Sequence, residues 1–204
     1  RRQVAVGPLL VERVELVLEE RQVRVHARPL HARDGLGHER GVHAVLQRRP
    51  DTGLHDDAPA TACWRGGTRV IASHANGAQV LTDMPAELGG TGDQVTPGWL
   101  FRAGFASCAA TSIVMAAARE GITLQTLELR VSSRSDARGL LGMADESGQP
   151  VDAMPSNMQL HVRIAADGVS SERLRALAEQ GIACSPIPRA VQHAVPFALH
   201  IDID

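Results

Sequence analysis

Three cysteines are the residues of this chain best suited to covalent chemistry: Cys63, Cys108 and Cys184. Their number does not make an even disulfide framework, and no CxxC pair or Cys/His cluster has zinc-finger spacing. A thiol becomes a useful nucleophile when a nearby cation, a hydrogen bond or a helix N-terminus stabilises its thiolate form. The surroundings of each cysteine therefore decide whether it is reactive or simply a small residue of the core.

Cys108 lies in the middle of a long, almost uncharged apolar run. Thr96 followed by Pro97 is a helix start signal, and Gly121 is a plausible stop signal, so the run predicts one helix roughly 36 Å long at about 1.5 Å per residue. Cys108 is about three turns inside this helix, where the helix dipole has little effect. Taken alone, this setting favours a buried structural cysteine over a reactive one.

Cys184 follows a second predicted helix, in the segment GIACSPIPRAVQ. Ser170 or Ser171 can cap the start of this helix, and Gly181 lies near its end. Cys184 therefore sits between a helix C-terminus and a turn restricted by proline. Cys108 and Cys184 can react as a pair only if the fold brings them together, which their spacing in the sequence does not determine.

The rest of the sequence predicts strands that follow one another along the chain and do not alternate regularly with helices. A hairpin is predicted at 68–74 and 78–84 around Asn76-Gly77, the preferred pair for a two-residue type I′ turn. Alternating apolar and polar residues predict further strands near 127–131, 158–164 and 197–203. A Gly-rich loop, ELGGTGDQV, precedes the long helix and lacks the residues of a phosphate-binding loop. The order hairpin, helix, strand, strand, helix, strand favours the α+β class.

Length and composition limit the number of domains and the classes of partner that the chain is suited to. The 204 residues are enough for one sizeable core. Residues 1–50 carry ten Arg against six acidic residues and break regular patterns. We interpret them as an N-terminal extension of uncertain order and 51–204 as the folded domain.

A net charge of −2 and 2% aromatic residues offer no case for binding nucleic acid or an anionic membrane. The first residues lack the apolar core of a secretory signal, and the central run is too rich in Ala and Ser to predict a membrane span. We therefore expect a soluble, cytoplasmic protein in a reducing compartment.

Two segments resemble the OsmC/Ohr family of thiol-dependent peroxidases. In the first, a Gly-rich loop leads into a Pro-led helix whose cysteine follows small residues, and a strand comes next: LGGTGDQVTPGWLFRAGFASCAATSIVMAAAREGITLQTLELRVSS. In the second, a cysteine is followed closely by proline at the end of a helix: ALAEQGIACSPIPRAV. The resemblance covers roughly residues 60–204 and leaves residues 1–50 outside it.

The resemblance implies an OsmC-like α+β fold, with antiparallel sheets, a long central cysteine-bearing helix and an intertwined homodimer with an active site at each subunit junction. It implies that Cys108 is the peroxidatic nucleophile and Cys184 the resolving thiol in the reduction of small organic hydroperoxides to alcohols. The reductant is then an external dithiol, in this family often a lipoylated protein, with no metal, flavin or haem cofactor. The activating arginine of the family lies on the N-terminal strands, where Arg69, ahead of Arg65, is the candidate.

One position departs from the family pattern. The peroxidases place a carboxylate ten positions before the nucleophile, in a Pro-Glu pair, and this carboxylate holds the activating arginine; here the pair is Pro97-Gly98. Glu87 or Asp93 in the preceding loop is a candidate substitute, although a surface acid is the commoner interpretation of each. The missing carboxylate supports an alternative function, an OsmC-like domain with little peroxidase activity that binds a small apolar or thiol-containing ligand at the dimer cleft.

The other candidates are weaker. Cys63, beside Trp64, has no partner by spacing and is interpreted as structural. His74 and His161 fall in predicted strands and are interpreted as surface or core residues rather than ligands. Four further histidines in the N-terminal region would bind metal only opportunistically: His26, His31, His38 and His43.

Overall fold

The computed structural model describes residues 42–203. The helix or strand predicted at 11–25 and most of the proposed N-terminal extension, 1–50, lie outside the described residues. Residues 42–48 are helical, and a 3-10 turn follows at Pro50–Gly53.

The first sheet has three antiparallel strands in the order β1-β2-β3: β1 (Thr61–Trp64), β2 (Val70–Ser73) and β3 (Gln79–Thr82). The predicted hairpin is confirmed as the pair β2–β3. All four residues of β1 are exposed, and β2 is only partly buried. The sheet therefore has no well-covered face within the described part of this chain.

The type I′ turn predicted for this hairpin is wrong. The N–H of His74 donates to the carbonyl of Ala78 at 2.9 Å, which leaves a longer loop between the strands. A type I′ turn needs positive φ at both central residues, but of the pair Asn76-Gly77 only Gly77 has one, at 92°. The Asn76 side chain instead accepts a hydrogen bond from the N–H of Ala78 at 2.9 Å, which stabilises the wider turn.

The long predicted helix is present as α1 (Pro97–Arg119), and its two predicted end signals are confirmed. The Thr96 hydroxyl accepts a hydrogen bond from the N–H of Trp99 at 3.1 Å. At the other end Gly121 has φ 69°, and the N–H of Ile122 donates to the carbonyl of Ala117 at 2.9 Å. This is a Schellman ending, which requires a residue that tolerates left-handed backbone. By length and composition α1 could cross a membrane, but the core helix of a soluble protein has the same properties.

The remaining elements are β4 (Leu124–Arg134), α2 (Ala137–Leu140), β5 (Ser156–Ala166), α3 (Ser171–Ala183) and α4 (Pro186–Gln192). Strands β4 and β5 form a second antiparallel sheet. The predicted cap of α3 is Ser170, whose hydroxyl accepts from the N–H of Arg173 at 3.2 Å. The predicted α+β class with antiparallel sheets is confirmed.

The core lies where α1 packs against α3, α4 and β4. Ala116, Ala117 and Leu177 form its centre. Gly181 lets α3 approach α1 closely, because a methyl group added there would lie 2.7 Å from Cα of Ile113. Glu120 and Arg173 form an ion pair that joins the end of α1 to the start of α3. The body of the domain is thus built around α1.

The strand predicted at 197–203 does not form in this chain. The segment has no regular structure, and its alternating apolar residues are 71–91% exposed: Phe197, Leu199, Ile201 and Ile203. A strand exists only when another backbone supplies its hydrogen-bond partners. Within the described residues no strand runs beside this segment.

Candidate functional site

Cys108 lies in the middle of α1, at the edge of its buried face, and is half-buried. The buried positions around it are spaced as one face of a helix: Phe105, Ala109, Ser112, Ile113, Ala116 and Ala117. The Ser112 hydroxyl donates to the carbonyl of Cys108 at 3.0 Å and so anchors the backbone rather than the thiol. The thiol is neither sealed in the core nor fully in solvent.

The side chain that reaches the Cys108 thiol is Ser185. Its hydroxyl donates a hydrogen bond to Sγ of Cys108 at 3.1 Å, and Ser185 is itself 0% exposed. Close packing of α3 on α1 at Gly181 brings the end of α3 to this point. Sequence reasoning missed Ser185, and its place directly after Cys184 is the signal that could have found it.

Cys184 caps the C-terminus of α3, immediately before Ser185, and its thiol is exposed and free. The fold therefore brings the segment that carries Cys184 against α1 beside Cys108. The direct contact with the Cys108 thiol is made by Ser185 and not by Cys184. A disulfide needs Cα atoms about 4.4–6.8 Å apart and its own dihedral geometry, so pairing of the two thiols requires the Cys184 side chain to reach the sulfur that Ser185 contacts.

Arg69 belongs to a different cluster, in which it holds the Gly-rich loop. Its guanidinium donates to both carboxylate oxygens of Asp93 at 2.6 and 2.7 Å and to the hydroxyl of Thr91 at 2.6 Å. Its Nε lies 3.5 Å from the carboxylate of Asp83. Within the described part of the chain, no hydrogen bond or ion pair joins Arg69 to Cys108. The side chain is 32% exposed, so this oriented cation remains accessible.

Asp83 is the buried centre of that cluster and was not found from the sequence. It is 1% exposed and accepts hydrogen bonds from the Thr68 hydroxyl at 2.5 Å, from the N–H and hydroxyl of Thr91, and from the N–H of Met84. The bonds from Thr68 and Thr91 hold the pKa of Asp83 well below its ordinary value, because they stabilise the charged form.

Arg69 and Asp93, which form the more exposed side of this cluster, also shift each other's pKa. Hydrogen bonds from Thr91 and then from Arg69 lower the pKa of Asp93, and the bond to Asp93 raises the pKa of Arg69. Of the two acids considered as substitutes for the missing carboxylate, Asp93 is the one that binds Arg69. Glu87 lies in the 3-10 turn Ala86–Leu88 and is exposed. The loop therefore carries a carboxylate for Arg69, although away from the family position.

Gly98 occupies the first turn of α1 and is exposed. A methyl group added there would lie 3.7 Å from Nη1 of Arg102, so a side chain would fit. The absence of a carboxylate at this position is therefore a matter of sequence and not of space.

A family model described as OsmC-like protein matches residues 90–200, which include α1, both cysteines and Ser185. This chain belongs to the OsmC-like protein family. The sequence resemblance is thereby confirmed for the family.

Solved structures show the same fold at low sequence identity. This OsmC-like protein is 16% identical to an OsmC-like protein from Mycoplasma pneumoniae, over 69% of this chain and 91% of that chain, with a TM-score of 0.57. An OsmC-like protein of unknown function from Vibrio cholerae O1 biovar eltor is 13% identical, over 68% and 95% of the two chains, with a TM-score of 0.54. A search of curated proteins found no match. These likenesses establish the fold alone.

Within the part of this OsmC-like protein that the structure describes, the other polar candidates do not assemble into a site. Within residues 42–203 no three His, Cys, Asp or Glu side chains are placed to hold a metal ion. Cys63 is exposed on β1, opposite Ile71 of β2. Of the four N-terminal histidines only His43 lies within the described residues, and it is exposed.

Proposed function

We propose that this OsmC-like protein reduces organic hydroperoxides to alcohols, with Cys108 as the peroxidatic and Cys184 as the resolving cysteine. The observation that carries the proposal is the pairing of the half-buried Cys108 thiol with the Ser185 hydroxyl, one residue from the free thiol of Cys184. Family membership supports the fold and the general assignment. A cysteine that served only as a small residue of the core would need neither a polar partner at sulfur nor a second thiol beside that partner.

The proposed reaction has three steps: reduction of the hydroperoxide, formation of a disulfide and reduction of that disulfide. The Cys108 thiolate attacks the distal oxygen of the hydroperoxide, the O–O bond breaks, and the alkoxide leaves as an alcohol after taking a proton. Cys108 becomes a sulfenic acid. The Cys184 thiolate attacks that sulfur and forms a disulfide, and the sulfenic hydroxyl leaves as water with one proton. An external dithiol then reduces the disulfide by thiol exchange.

Arg69 is proposed as the activating cation. Its guanidinium is oriented by Asp93 and Asp83, so little conformational entropy remains to be lost when it meets an anion. Because it makes no polar contact with Cys108 within the described chain, its proposed role depends on the homodimer. There the first sheet of one subunit would lie against the α1 of the other.

Two exposed surfaces support the proposed homodimer. The segment 197–203 keeps the alternation of a strand without a strand to pair with, and an extra backbone would complete it. On α1, Val114 and Met115 are 40% and 45% exposed, on the face turned away from the core. Contiguous exposed apolar surface often marks an interface, so these two neighbouring side chains support the proposed homodimer.

The experiment measures consumption of cumene hydroperoxide by the purified 204-residue chain, with and without dithiothreitol. We expect Cys108→Ser to abolish consumption. Cys184→Ser should consume one equivalent without reductant and stop at a sulfenic acid that dimedone traps. Cys63→Ser is the matched control and should behave as wild type. Consumption that survives in Cys108→Ser would refute the proposal.

A second candidate function is favoured by Gly98. The family carboxylate is absent there, and an OsmC-like domain with little peroxidase activity could bind a small apolar or thiol-containing ligand at the dimer cleft instead. Rapid alkylation of Cys108 by iodoacetamide at neutral pH would favour the peroxidase. Slow alkylation together with protection by a bound thiol compound would favour the binding protein.

A further inference from the structure

Ser185 stands at the junction of α3 and α4, with its backbone fixed on both sides. Its N–H donates to the carbonyl of Ile182 at 3.0 Å, and its carbonyl accepts from the N–H of Arg189 at 3.0 Å. The residue has no exposed surface. Its hydroxyl can therefore act only on what surrounds it inside the protein.

Ser185 is the N-cap residue of α4, yet its hydroxyl makes no capping hydrogen bond. A serine in this position usually accepts from the N–H of the second or third helical residue. Here proline occupies the first and third positions, Pro186 and Pro188, and proline has no N–H to donate. The two prolines thus remove most of the demand for a cap, and the hydroxyl is directed at Sγ of Cys108 instead.

Charged side chains do not supply this contact. The elements packed against α1 carry the following charged residues: Glu128, Arg130 and Arg134 on β4, Glu172, Arg173, Arg175 and Glu179 on α3, and Arg189 on α4; α1 itself carries Arg102 and Arg119. Within residues 42–203 none of them makes a hydrogen bond or an ion pair with the Cys108 thiol. Ser185 is the side-chain donor that the described structure places on this sulfur.

We infer that Ser185 is a positioning residue that stabilises Cys108 as a thiolate and fixes the direction of its sulfur. A neutral thiol is a weak acceptor, whereas a thiolate is a charged one, so a buried hydroxyl donor favours the thiolate. The inference rests on the proposed peroxidase function for its purpose, since it is the thiolate that attacks peroxide. It adds a residue beyond the two cysteines and Arg69.

The test follows the rate at which iodoacetamide alkylates Cys108 as a function of pH. The 204-residue chain is used without peroxide, and the Cys108 peptide is quantified by mass spectrometry. In Ser185→Ala we expect the midpoint of the rate profile to rise by about 1 to 2 pH units, as for the loss of a hydrogen bond to a charged group. At a pH well below both midpoints, the reaction should slow by at least about tenfold.

The matched control is Ser112→Ala. Ser112 is also buried on α1 and also bonds to Cys108, but to its carbonyl oxygen and not to its sulfur. We expect its midpoint to equal that of wild type. Ser185→Thr keeps the hydroxyl and should return the midpoint toward the wild-type value, so that the inference stays testable if Ser185→Ala does not fold.

The outcomes separate this inference from the proposed function. An unchanged midpoint in folded Ser185→Ala, or equal shifts in Ser185→Ala and Ser112→Ala, would overturn the role of Ser185. Failure of Ser185→Thr to restore the midpoint would overturn it as well. Because the assay contains no peroxide, a shifted midpoint in a protein that consumes no peroxide would instead refute only the peroxidase function.

Discussion

Replacing Gly181 by alanine tests the contact on which the whole site depends. A methyl group at this position of α3 would lie 2.7 Å from Cα, 2.8 Å from Cγ1 and 2.9 Å from the backbone nitrogen of Ile113. Carbon atoms pack best at about 3.5–4.0 Å. Two of the three neighbours are backbone atoms of α1, which no side-chain rotation can move. The helices must therefore separate by about 0.8 Å or more to reach ordinary contact.

Two opposing effects set the size of the change. Alanine has a higher helix propensity than glycine by about 1 kcal/mol, which favours the variant. Overpacking of a close contact costs typically about 1–3 kcal/mol, and a backbone neighbour places this case at the upper end. We therefore expect a net loss of about 1–2 kcal/mol in the free energy of unfolding. For a chain of this size this corresponds to a fall in Tm of roughly 2–8 °C.

The assay is thermal and urea unfolding at one fixed protein concentration, because an oligomer's apparent stability depends on concentration. Gly98→Ala is the matched control: it is the same substitution in a helix, and the added methyl group would meet nothing closer than 3.7 Å. We expect this control to equal or slightly exceed wild type in stability. A Gly181→Ala protein as stable as its control would refute the argument that α3 and α1 touch here.

Three further changes have definite expected outcomes. Asp83→Asn should unfold at a lower urea concentration than wild type, and its stability should fall less steeply in acid. Because the folded protein lowers the pKa of Asp83, the charged carboxylate stabilises the folded state at pH values above the unfolded pKa of about 3.9. This stabilisation is lost as the pH falls from there through the folded pKa. Urea titrations from about pH 7 down to pH 3 check this sign, and parallel curves for the two proteins would contradict it. Gly90→Ala would drive a methyl group into the backbone carbonyl of Met84, so we expect the free energy of unfolding measured in urea to fall by more than about 3 kcal/mol; wild-type stability would contradict the close approach of Gly90 to Met84. Gly98→Glu places a carboxylate in the first turn of α1 and one helical turn before Arg102. We expect the free energy of unfolding to rise by about 0.3–1 kcal/mol, which is measured from the increase in Tm. A lower Tm would argue against this geometry.

The conformation of α1 is the part of the fold that the sequence predicted best. Its start depends on Thr96 and Pro97 and its end on Gly121, and each of these signals acts through atoms within one turn of the helix end. The strands β4 and β5 could also be predicted, because alternating apolar and polar residues indicate which face of a strand is buried.

The hairpin turn and the C-terminal segment were predicted wrongly for different reasons. At Asn76 the side chain bonds to the N–H of Ala78, and this local bond outweighs the statistical preference of the pair Asn76-Gly77 for a tighter turn. The alternation at 197–203 describes a segment suited to a strand, but alternation does not supply the neighbouring backbone. The segment remains unpaired in a single chain.

The candidate site also has one part that could be predicted from the sequence and one part that could not. The family, the helix that carries Cys108 and the presence of a second thiol could all be predicted from the sequence, because motifs and helix ends are local properties of the chain. Two contacts became visible only in the folded chain: Ser185, 77 positions from Cys108, donates to its sulfur, and Asp93, 24 positions from Arg69, binds its guanidinium. Contacts at such separations depend on how α3 packs on α1 at Gly181 and on how the Gly-rich loop folds back onto β3, and no local pattern encodes either distance.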